Sequence, residues 1–217
     1  MVQGMIFDFD GTLINSIDMW MEVQDSLAKS AGVVITPEQT RVLNTYTIEE
    51  VGDFFHKECG LAASGAEVVS MIDNRALKHF QTKVNICPGI PELLEALKEN
   101  NVAMSVASSS PLRFLTAGLT TAGLIDYFDA IVSVEEVGKS KREPAVYDKA
   151  RDYMNTNLEN TWVVEDSIYA LDTVSRAGYK SIGVYSSDES GTLPELKKHA
   201  TFAVSSFEGF DITGFLA

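Results

Sequence analysis

The sequence predicts an α/β protein with a largely parallel sheet that is interrupted, after its first strand, by a block of helices. Two observations carry this prediction. From Cys87 onward, helical and strand-like segments alternate along the chain, a pattern typical of parallel sheets covered by helices on both faces. A short apolar segment at residues 4–9 (GMIFDF) precedes them, and strand-like segments are nearly absent between it and Val102. We therefore expect the first strand to join a sheet formed mostly by later ones.

The intervening segment predicts about four helices between residues 15 and 85. The first covers residues 16–31, where apolar side chains recur near helical spacing, and it is expected to end at Gly32, a favourable residue after a helix. The other three begin with a Ser or Thr followed at the third position by Glu or Gln, a spacing that caps the first amides of a helix. These pairs are Thr36 with Gln39, Thr47 with Glu50, and Ser64 with Glu67.

Five helices and five strands are predicted to alternate after residue 87. The helices are expected at residues 91–99, 111–122, 144–154, 167–177 and 193–199, and the strands at residues 102–107, 130–134, 161–164, 181–184 and 202–204. Active sites of open α/β sheets lie beyond the carboxyl ends of the strands. The residues that follow each strand are therefore the candidates for function.

Composition narrows the classes of partner. The chain has 217 residues, 45% of them hydrophobic, and a net charge of −14, which disfavours binding to nucleic acid or to anionic membranes. The sequence has no run of about 18 apolar residues and no basic-then-apolar N-terminal segment, so we expect a soluble cytoplasmic protein. A small phosphorylated substrate is compatible with the acidic chain, because one metal ion and one lysine could neutralise it locally. Nothing in the sequence indicates the oligomeric state.

Charged and polar residues gather at the predicted strand ends. They are Asp8 and Asp10 after the first strand, Ser108 after the second, Lys141 in a loop before a later helix, and Glu165 and Asp166 after the fourth strand. In an extended segment, residues two apart project to the same side, so Asp8 and Asp10 would share a face. Gly11 would then let the chain turn sharply while its amide approaches a ligand. Three acids in one place repel one another unless a cation lies among them, and oxygen ligands indicate Mg²⁺ rather than Zn²⁺.

Together these motifs resemble those of the haloacid-dehalogenase-like hydrolase superfamily, in the branch of phosphoglycolate phosphatases and beta-phosphoglucomutases. The residues that carry the resemblance are Asp8-Phe9-Asp10-Gly11-Thr12, Ser108, Lys141 and Glu165-Asp166-Ser167, in the same order and contexts. The resemblance covers essentially the whole chain. It implies a Rossmann-like α/β core at residues 1–14 and 86–217, with an α-helical cap domain inserted at residues 15–85.

The resemblance also implies catalytic roles. Asp8 would attack phosphorus and form an aspartyl-phosphate, and Asp10 would protonate the leaving oxygen and later accept a proton from water. Ser108 and Lys141 would hold the phosphoryl group and neutralise its charge. The implied activity is Mg²⁺-dependent hydrolysis of a small phosphorylated metabolite, such as a sugar phosphate or phosphoglycolate.

Further residues complete the implied site. The resemblance places a magnesium ion between Asp8, Asp166 and the backbone carbonyl of Asp10, with Glu165 as a fourth ligand or a supporting residue behind the others. The expected phosphate-binding residues besides Ser108 and Lys141 are Gly11, Thr12 and Ser109. Each has an ordinary competing interpretation as a turn or helix-start residue.

The lysine motif departs from the family pattern. That pattern is commonly K-P-x-P, and Lys141 keeps the spacing to Pro144, which favours it over Lys139. Arg142 stands where the pattern has a proline, and Ala145 where it often has an aspartate. These departures bear on the loop geometry and the helix start rather than on the chemistry.

Three residues of the predicted cap are candidates for substrate contact: Trp20, Arg41 and Arg75. The competing interpretations are a core position for Trp20, which has helical spacing, and solvated positions for the two arginines.

Other functions compete with hydrolysis. A beta-phosphoglucomutase-like phosphosugar mutase would share the nucleophile, acid and metal, but such enzymes usually carry a histidine where this chain has Trp20 and lack the threonine corresponding to Thr12. Dehalogenases lack the second acid of the first motif, which is Asp10 here. A non-catalytic phosphate-binding scaffold is the third alternative.

Overall fold

A computed structural model describes residues 1–216 and contains one six-stranded sheet. The strands are β1 (Gly4–Phe7), β2 (Ala103–Ser108), β3 (Ala130–Ser133), β4 (Thr161–Glu165), β5 (Lys180–Val184) and β6 (Phe202–Val204). Their spatial order is β3-β2-β1-β4-β5-β6, and every neighbouring pair is parallel. The predicted α/β fold is thus confirmed, and β1 lies in the middle of the sheet although almost a hundred residues separate it from β2.

Four helices lie between residues 15 and 85, as the sequence predicts. They are α1 (Ile17–Ala31), α2 (Pro37–Leu43), α3 (Ile48–Lys57) and α4 (Gly65–Thr82). The later helices are α5 (Ile90–Glu99), α6 (Leu112–Ala122), α7 (Val134–Val137), α8 (Ala145–Met154), α9 (Ile168–Arg176), α10 (Leu193–His199) and α11 (Ile212–Leu216). The sequence does not predict α7 or α11, because helices this short carry no recognisable apolar period. Within residues 1–216, no helix combines the length and the apolar character needed to cross a bilayer.

Local signals set the helix ends. The side chains of Thr36, Thr47 and Ser64 each accept a hydrogen bond from the amide three residues later, so the three predicted caps are confirmed. Gly32 ends α1 in the left-handed conformation, with φ of 70°. The predicted bounds of the longer elements consequently differ from the observed ones by no more than two residues.

Apolar side chains cover both faces of the sheet. Met5 and Phe7 of β1 belong to one hydrophobic cluster, whereas Ile6 between them belongs to the cluster on the other face, and all three are fully buried. Burial on both faces explains why β1 has an apolar sequence without alternation. The larger cluster extends into the inserted helices, for example through Phe9 and Phe80, whose ring centroids are 5.3 Å apart. The inserted helices therefore share an apolar core with the sheet.

Candidate active site

The central strands bring the predicted acids to one edge of the sheet. β1 lies between β2 and β4, with Phe7 aligned with Val164. Asp8 continues this pairing, since its N–H donates to the carbonyl of Val164 at 2.9 Å. Glu165 ends β4, and Asp166 follows it. The carboxyl ends of neighbouring parallel strands thus place three acids side by side, at the location where α/β sheets bind ligands.

Lys141 is the buried cation at this edge. Its Nζ lies 2.5 Å from Asp8 Oδ1 and 2.5 Å from Glu165 Oε1, and only 2% of its side chain is exposed. The Tyr147 hydroxyl on α8 donates to the same Glu165 oxygen at 2.6 Å. Burial alone would lower the pKa of Lys141, but the charges of Asp8 and Glu165 outweigh burial and raise that pKa above its ordinary value. Lys139, the competing candidate, pairs with a surface glutamate and is 55% exposed.

One ammonium group does not balance the acids around it. Ligand oxygens of Asp8, Glu165 and Asp166 all lie within 4.8 Å of one another, and all three residues are buried. Burial, followed by the charge of Glu165, raises the pKa of Asp8 from 3.8 to about 8. Burial and the charge of Asp8 raise the pKa of Asp166 to about 7. The cluster therefore holds more buried negative charge than Lys141 can neutralise.

This surplus fits a divalent cation. The Oε2 atom of Glu165 is buried and finds no hydrogen-bond partner among the described residues, and the Asp166 carboxylate accepts a hydrogen bond from the Ser186 hydroxyl at 2.6 Å. A hard cation among these oxygens would offset the repulsion that raises the acids' pKa values. Donors that are all carboxylate oxygens suit such an ion better than they suit zinc.

The chain turns directly after β1, which ends at Phe7 rather than at residue 9 as the sequence predicts. Gly11 has φ of +76°, and a Cβ at this position would overlap the Asp166 carboxylate, so both the backbone and the close approach require glycine. Asp8 and Asp10 thus both lie beyond the end of the strand. Both carboxylates nevertheless line the same cavity.

Asp10 is held by three donors. Its Oδ1 accepts hydrogen bonds from Ser16 Oγ at 2.5 Å and from Trp20 Nε1 at 2.7 Å, and its Oδ2 accepts one from Ser110 Oγ at 2.6 Å. Ser16 and Trp20 belong to the start of the helical insertion, whereas Ser110 follows β2. Hydrogen bonds to a carboxylate are about twice as strong as neutral ones, so these contacts fix the orientation of Asp10.

The serines at the end of β2 face the cavity, and Thr12 does not. Ser108 and Ser109 line the cavity, and Ser108 Oγ accepts the N–H of Ser110 at 3.0 Å, which leaves its hydroxyl hydrogen for another acceptor. Thr12 is fully buried, and its Oγ1 has no hydrogen-bond partner within the described chain. Neither Gly11 nor Thr12 is among the residues that line the cavity. These two predicted phosphate-binding residues therefore do not lie at the surface of the cavity.

The cavity lies between the strand ends and the inserted helices and has a volume of about 410 Å³. The inserted helices contribute polar side chains to its wall: Trp20, Gln24, Arg41, Asn44, Thr45 and Tyr46. Gln24 Nε2 donates to Asn44 Oδ1 at 3.0 Å, which joins α1 to the segment after α2. Of the three predicted substrate contacts, Trp20 and Arg41 line the cavity, and Arg75 is exposed on α4 and does not.

Several supporting residues are missing from the sequence prediction. Ser16 and Ser110 each precede a helix, and their contact with Asp10 has no sequence signal beyond an ordinary helix start. Tyr147 lies on the buried face of α8, where its helical spacing indicates only a core residue. All three depend on how separate elements meet.

Comparisons with known proteins agree with this geometry. A family model described as haloacid dehalogenase-like hydrolase matches residues 5–184. Hexitol phosphatase B of Escherichia coli (strain K12) is 30% identical over 186 residues, which cover 84% of this chain and 83% of that protein. Validoxylamine A 7'-phosphate phosphatase of Streptomyces hygroscopicus subsp. limoneus is 28% identical over 201 residues, 90% of this chain and 91% of that protein. The crystal structure of beta-phosphoglucomutase from Clostridium difficile superposes with a TM-score of 0.85 at 22% identity and covers 100% of this chain and 96% of that one, a likeness of fold.

Proposed function

The chain belongs to the haloacid dehalogenase-like hydrolases and is a phosphoric monoester hydrolase, and from this premise we propose that it dephosphorylates a small phosphorylated sugar or polyol. The proposed reaction requires Mg²⁺ and passes through an aspartyl-phosphate on Asp8. One observation carries the proposal: Asp8, Asp10, Lys141 and Asp166, from separate parts of the chain, meet at the floor of one cavity. One ligand in the cavity could therefore contact the nucleophile Asp8, the proton-transferring Asp10 and the compensating cation Lys141.

In the first half-reaction, a carboxylate oxygen of Asp8 attacks phosphorus, and the ester P–O bond on the opposite side breaks. The leaving alkoxide takes a proton from the Asp10 carboxyl group, so an alcohol departs and the phosphoryl group remains on Asp8. Lys141 neutralises part of the phosphoryl charge, and the free hydroxyl hydrogen of Ser108 is donated to a phosphoryl oxygen.

In the second half-reaction, water attacks phosphorus while Asp10 accepts its proton. The bond between Asp8 and phosphorus breaks, which releases inorganic phosphate and restores the carboxylate. Asp10 serves both halves because its three hydrogen bonds keep the carboxyl group directed at the cavity.

We assign the divalent site to the carboxylates of Asp8 and Asp166, with the backbone carbonyl of Asp10 as a further ligand. Bound there, Mg²⁺ would neutralise charge on the phosphoryl oxygens and on the acids, which favours attack by an ionised Asp8. Glu165 already accepts hydrogen bonds from Lys141 and Tyr147, so we place it behind Asp8 and Asp166 as a residue that holds Lys141.

We further propose that residues 15–85 form a cap over the core at residues 1–14 and 86–217. The cap would supply the recognition of the leaving group, because the cavity wall opposite the acids comes from α1, α2 and the segment after α2. Gln24, Asn44, Arg41 and Thr45 offer donors and acceptors that match the hydroxyl groups of a sugar or polyol. A volume of about 410 Å³ lies within the range of cavities that bind small molecules.

A mutase would use the same acids, but two observations favour the phosphatase. The two relatives matched at 30% and 28% identity are phosphatases by name, whereas the beta-phosphoglucomutase is matched at 22% identity and shows the fold alone. Trp20 donates to Asp10 from a position where the mutases usually have a histidine. Isomerisation that depends on a sugar bisphosphate and releases no net phosphate would support the mutase instead.

The test is a screen for phosphate release with Mg²⁺ across hexose phosphates, hexitol phosphates, 6-phosphogluconate and phosphoglycolate. We expect release from at least one sugar or polyol phosphate, loss of release in Asp8→Asn, and full release in Asp126→Asn, a matched change at an exposed aspartate that is not among the residues lining the cavity. A wild-type protein that binds Mg²⁺ but releases phosphate from none of these esters would contradict the proposal and favour the scaffold. Trapping of labelled phosphate on the wild type, but not on Asp8→Asn, tests the aspartyl-phosphate separately.

A further inference from the structure

Lys141 and Arg142 are neighbours that point in opposite directions. They lie in a turn that the N–H of Glu143 closes by donating to the carbonyl of Ser140 at 3.0 Å. Lys141 is directed inward to Asp8, whereas the guanidinium of Arg142 crosses the gap to the inserted helices. The same turn thus supplies one cation to the chemistry and another to the opposite wall of the cavity.

Arg142 contacts three residues of the inserted helical segment: Thr45, Tyr46 and Glu50. Its Nη2 donates to Thr45 Oγ1 at 2.6 Å, its Cζ lies 5.6 Å from the centroid of the Tyr46 ring, and its Nη1 lies 3.5 Å from Glu50 Oε1. The hydroxyl of Thr45 donates to the carbonyl of Val42 at 2.8 Å, so its lone pairs are available for the guanidinium. A planar guanidinium can serve a hydroxyl, a ring and a carboxylate at once, which an ammonium cannot.

These partners belong to the segment that forms the cavity wall. Thr45 and Tyr46 line the cavity and lie between the end of α2 and the start of α3. Glu50 also accepts the N–H of Thr47 at 2.8 Å in the capping box of α3, so Arg142 contacts both the wall and the helix start that supports it. Where the family pattern has a proline, no such contact can form.

We propose that Arg142 is a positioning residue for substrate recognition: it holds the Thr45–Tyr46 wall at a fixed distance from the phosphoryl site. The proposal rests on the proposed phosphatase function for its kinetic consequences, but the contact itself does not. Arg142 touches no reacting atom, so its loss affects substrates according to how far they extend toward the wall. We expect a hexitol phosphate, with its six-carbon chain, to reach the wall and the two-carbon phosphoglycolate to stop short of it.

The expected effect is moderate, because Arg142 and Glu50 are 41% and 44% exposed. Partly exposed ion pairs change equilibrium constants by no more than about fivefold, and the hydrogen bond to Thr45 adds a similar factor. We expect Arg142→Gln to raise the KM for a hexitol 6-phosphate about three- to tenfold, with kcat changed less than twofold. The KM for phosphoglycolate should change less than twofold.

Three further variants isolate the contact. Lys139→Gln is the matched control, since Lys139 lies in the same loop and pairs only with Glu143 at the surface; it should leave both KM values unchanged. Arg142→Lys keeps the charge and should have an intermediate effect. In a Thr45→Val background, Arg142→Gln should raise KM less than it does in the wild type, because the acceptor is already lost.

A readout without catalysis separates this proposal from the phosphatase proposal. Hydrogen–deuterium exchange at the amides of residues 44–50 in the free protein should be at least about threefold faster in Arg142→Gln than in the wild type or Lys139→Gln. If no ester is hydrolysed but this exchange difference appears, the phosphatase function fails and the positioning role stands. Equal exchange in the three proteins, or an equal rise in KM for the short and the long ester, would overturn the role of Arg142.

Discussion

The two walls of the cavity are built differently. The strand-end wall holds three buried carboxylates around one buried ammonium, all on or beside neighbouring strands of the sheet. The wall from the inserted helices holds neutral or partly exposed side chains, such as Gln24 and Asn44, joined by single hydrogen bonds. Removal of one charge from the strand-end wall leaves the remaining buried charges uncompensated at low dielectric. Removal of one side chain from the helical wall leaves only neutral or partly exposed groups, which can form hydrogen bonds with water instead.

This difference separates chemistry from recognition. Substitutions in the strand-end wall should affect stability and every substrate alike, since all substrates share the phosphoryl group. Substitutions in the helical wall should affect only the substrates that reach it. We expect the largest change in free energy for the charges of the strand-end wall and smaller changes for the residues that surround them.

The largest effect is expected for Lys141→Met, which keeps the length of the side chain and removes the charge. Asp8 and Glu165 would lose their buried counter-ion, so the free energy of unfolding should fall by about 3–5 kcal/mol. Activity on every phosphate ester should be lost together. Urea unfolding measures the stability, and Lys139→Met at the exposed end of the same loop should change it by less than about 0.5 kcal/mol. A Lys141→Met protein as stable as the wild type would show that the cluster does not depend on its cation.

A smaller effect is expected from divalent cation and pH together. The pKa values of Asp8, about 8, and of Asp166, about 7, exceed the ordinary 3.8, so the metal-free folded protein binds more protons than the unfolded chain does between pH 4 and 8. Its stability should therefore fall as the pH rises through this window. Mg²⁺ at a hundredfold excess over its Kd should restore about 2.7 kcal/mol at pH 8.

The contrast between two pH values makes this prediction specific. At pH 5 the acids of the metal-free protein are largely protonated, so the same Mg²⁺ concentration should stabilise the protein much less. Thermal unfolding with Mg²⁺ and with chelator at pH 5 and 8 provides the measurement. Equal stabilisation at both pH values would mean that the ion does not bind through Asp8 and Asp166.

The two walls also differ in how well the sequence predicts them. Asp8, Ser108 and Asp166 are found because each follows an apolar strand, and parallel strands end at one edge of a sheet regardless of side-chain detail. Buried strands and helix caps are likewise local signals, so the element bounds are predicted well. Asp10 also lines the cavity, although β1 ends three residues before it.

The helical wall cannot be derived in the same way. Gln24 of α1 and Asn44 after α2 are brought together in the cavity wall by tertiary structure, and neither residue type is distinctive in the sequence. Arg75 illustrates the converse, since a cation on α4 remains in solvent when the helix turns its other face inward. Recognition residues of this kind depend on tertiary packing, which the apolar period of each helix does not encode.

Trp20 belongs to the helical insertion and yet contacts the acid of the strand-end wall, so it tests whether the separation is complete. Its ring packs near Phe80 and Phe114, with centroids 6.3 and 6.2 Å away, and its Nε1 donates to Asp10 Oδ1 at 2.7 Å. Trp20→Phe keeps the aromatic packing and removes the donor. A hydrogen bond to a carboxylate contributes about 1.5 kcal/mol, so kcat should fall roughly tenfold for short and long esters alike, because Ser16 and Ser110 still hold Asp10.

Trp162→Phe is the matched control for this change, since Trp162 packs against Phe202 and Phe215, away from the cavity. It should leave kcat and KM unchanged. If Trp20→Phe instead raises KM for the long ester alone, Trp20 acts only as part of the recognition wall, and the acid is oriented entirely by the two serines. A common loss in kcat would mean that the insertion contributes to the chemistry through one indole N–H, which helps to orient the acid.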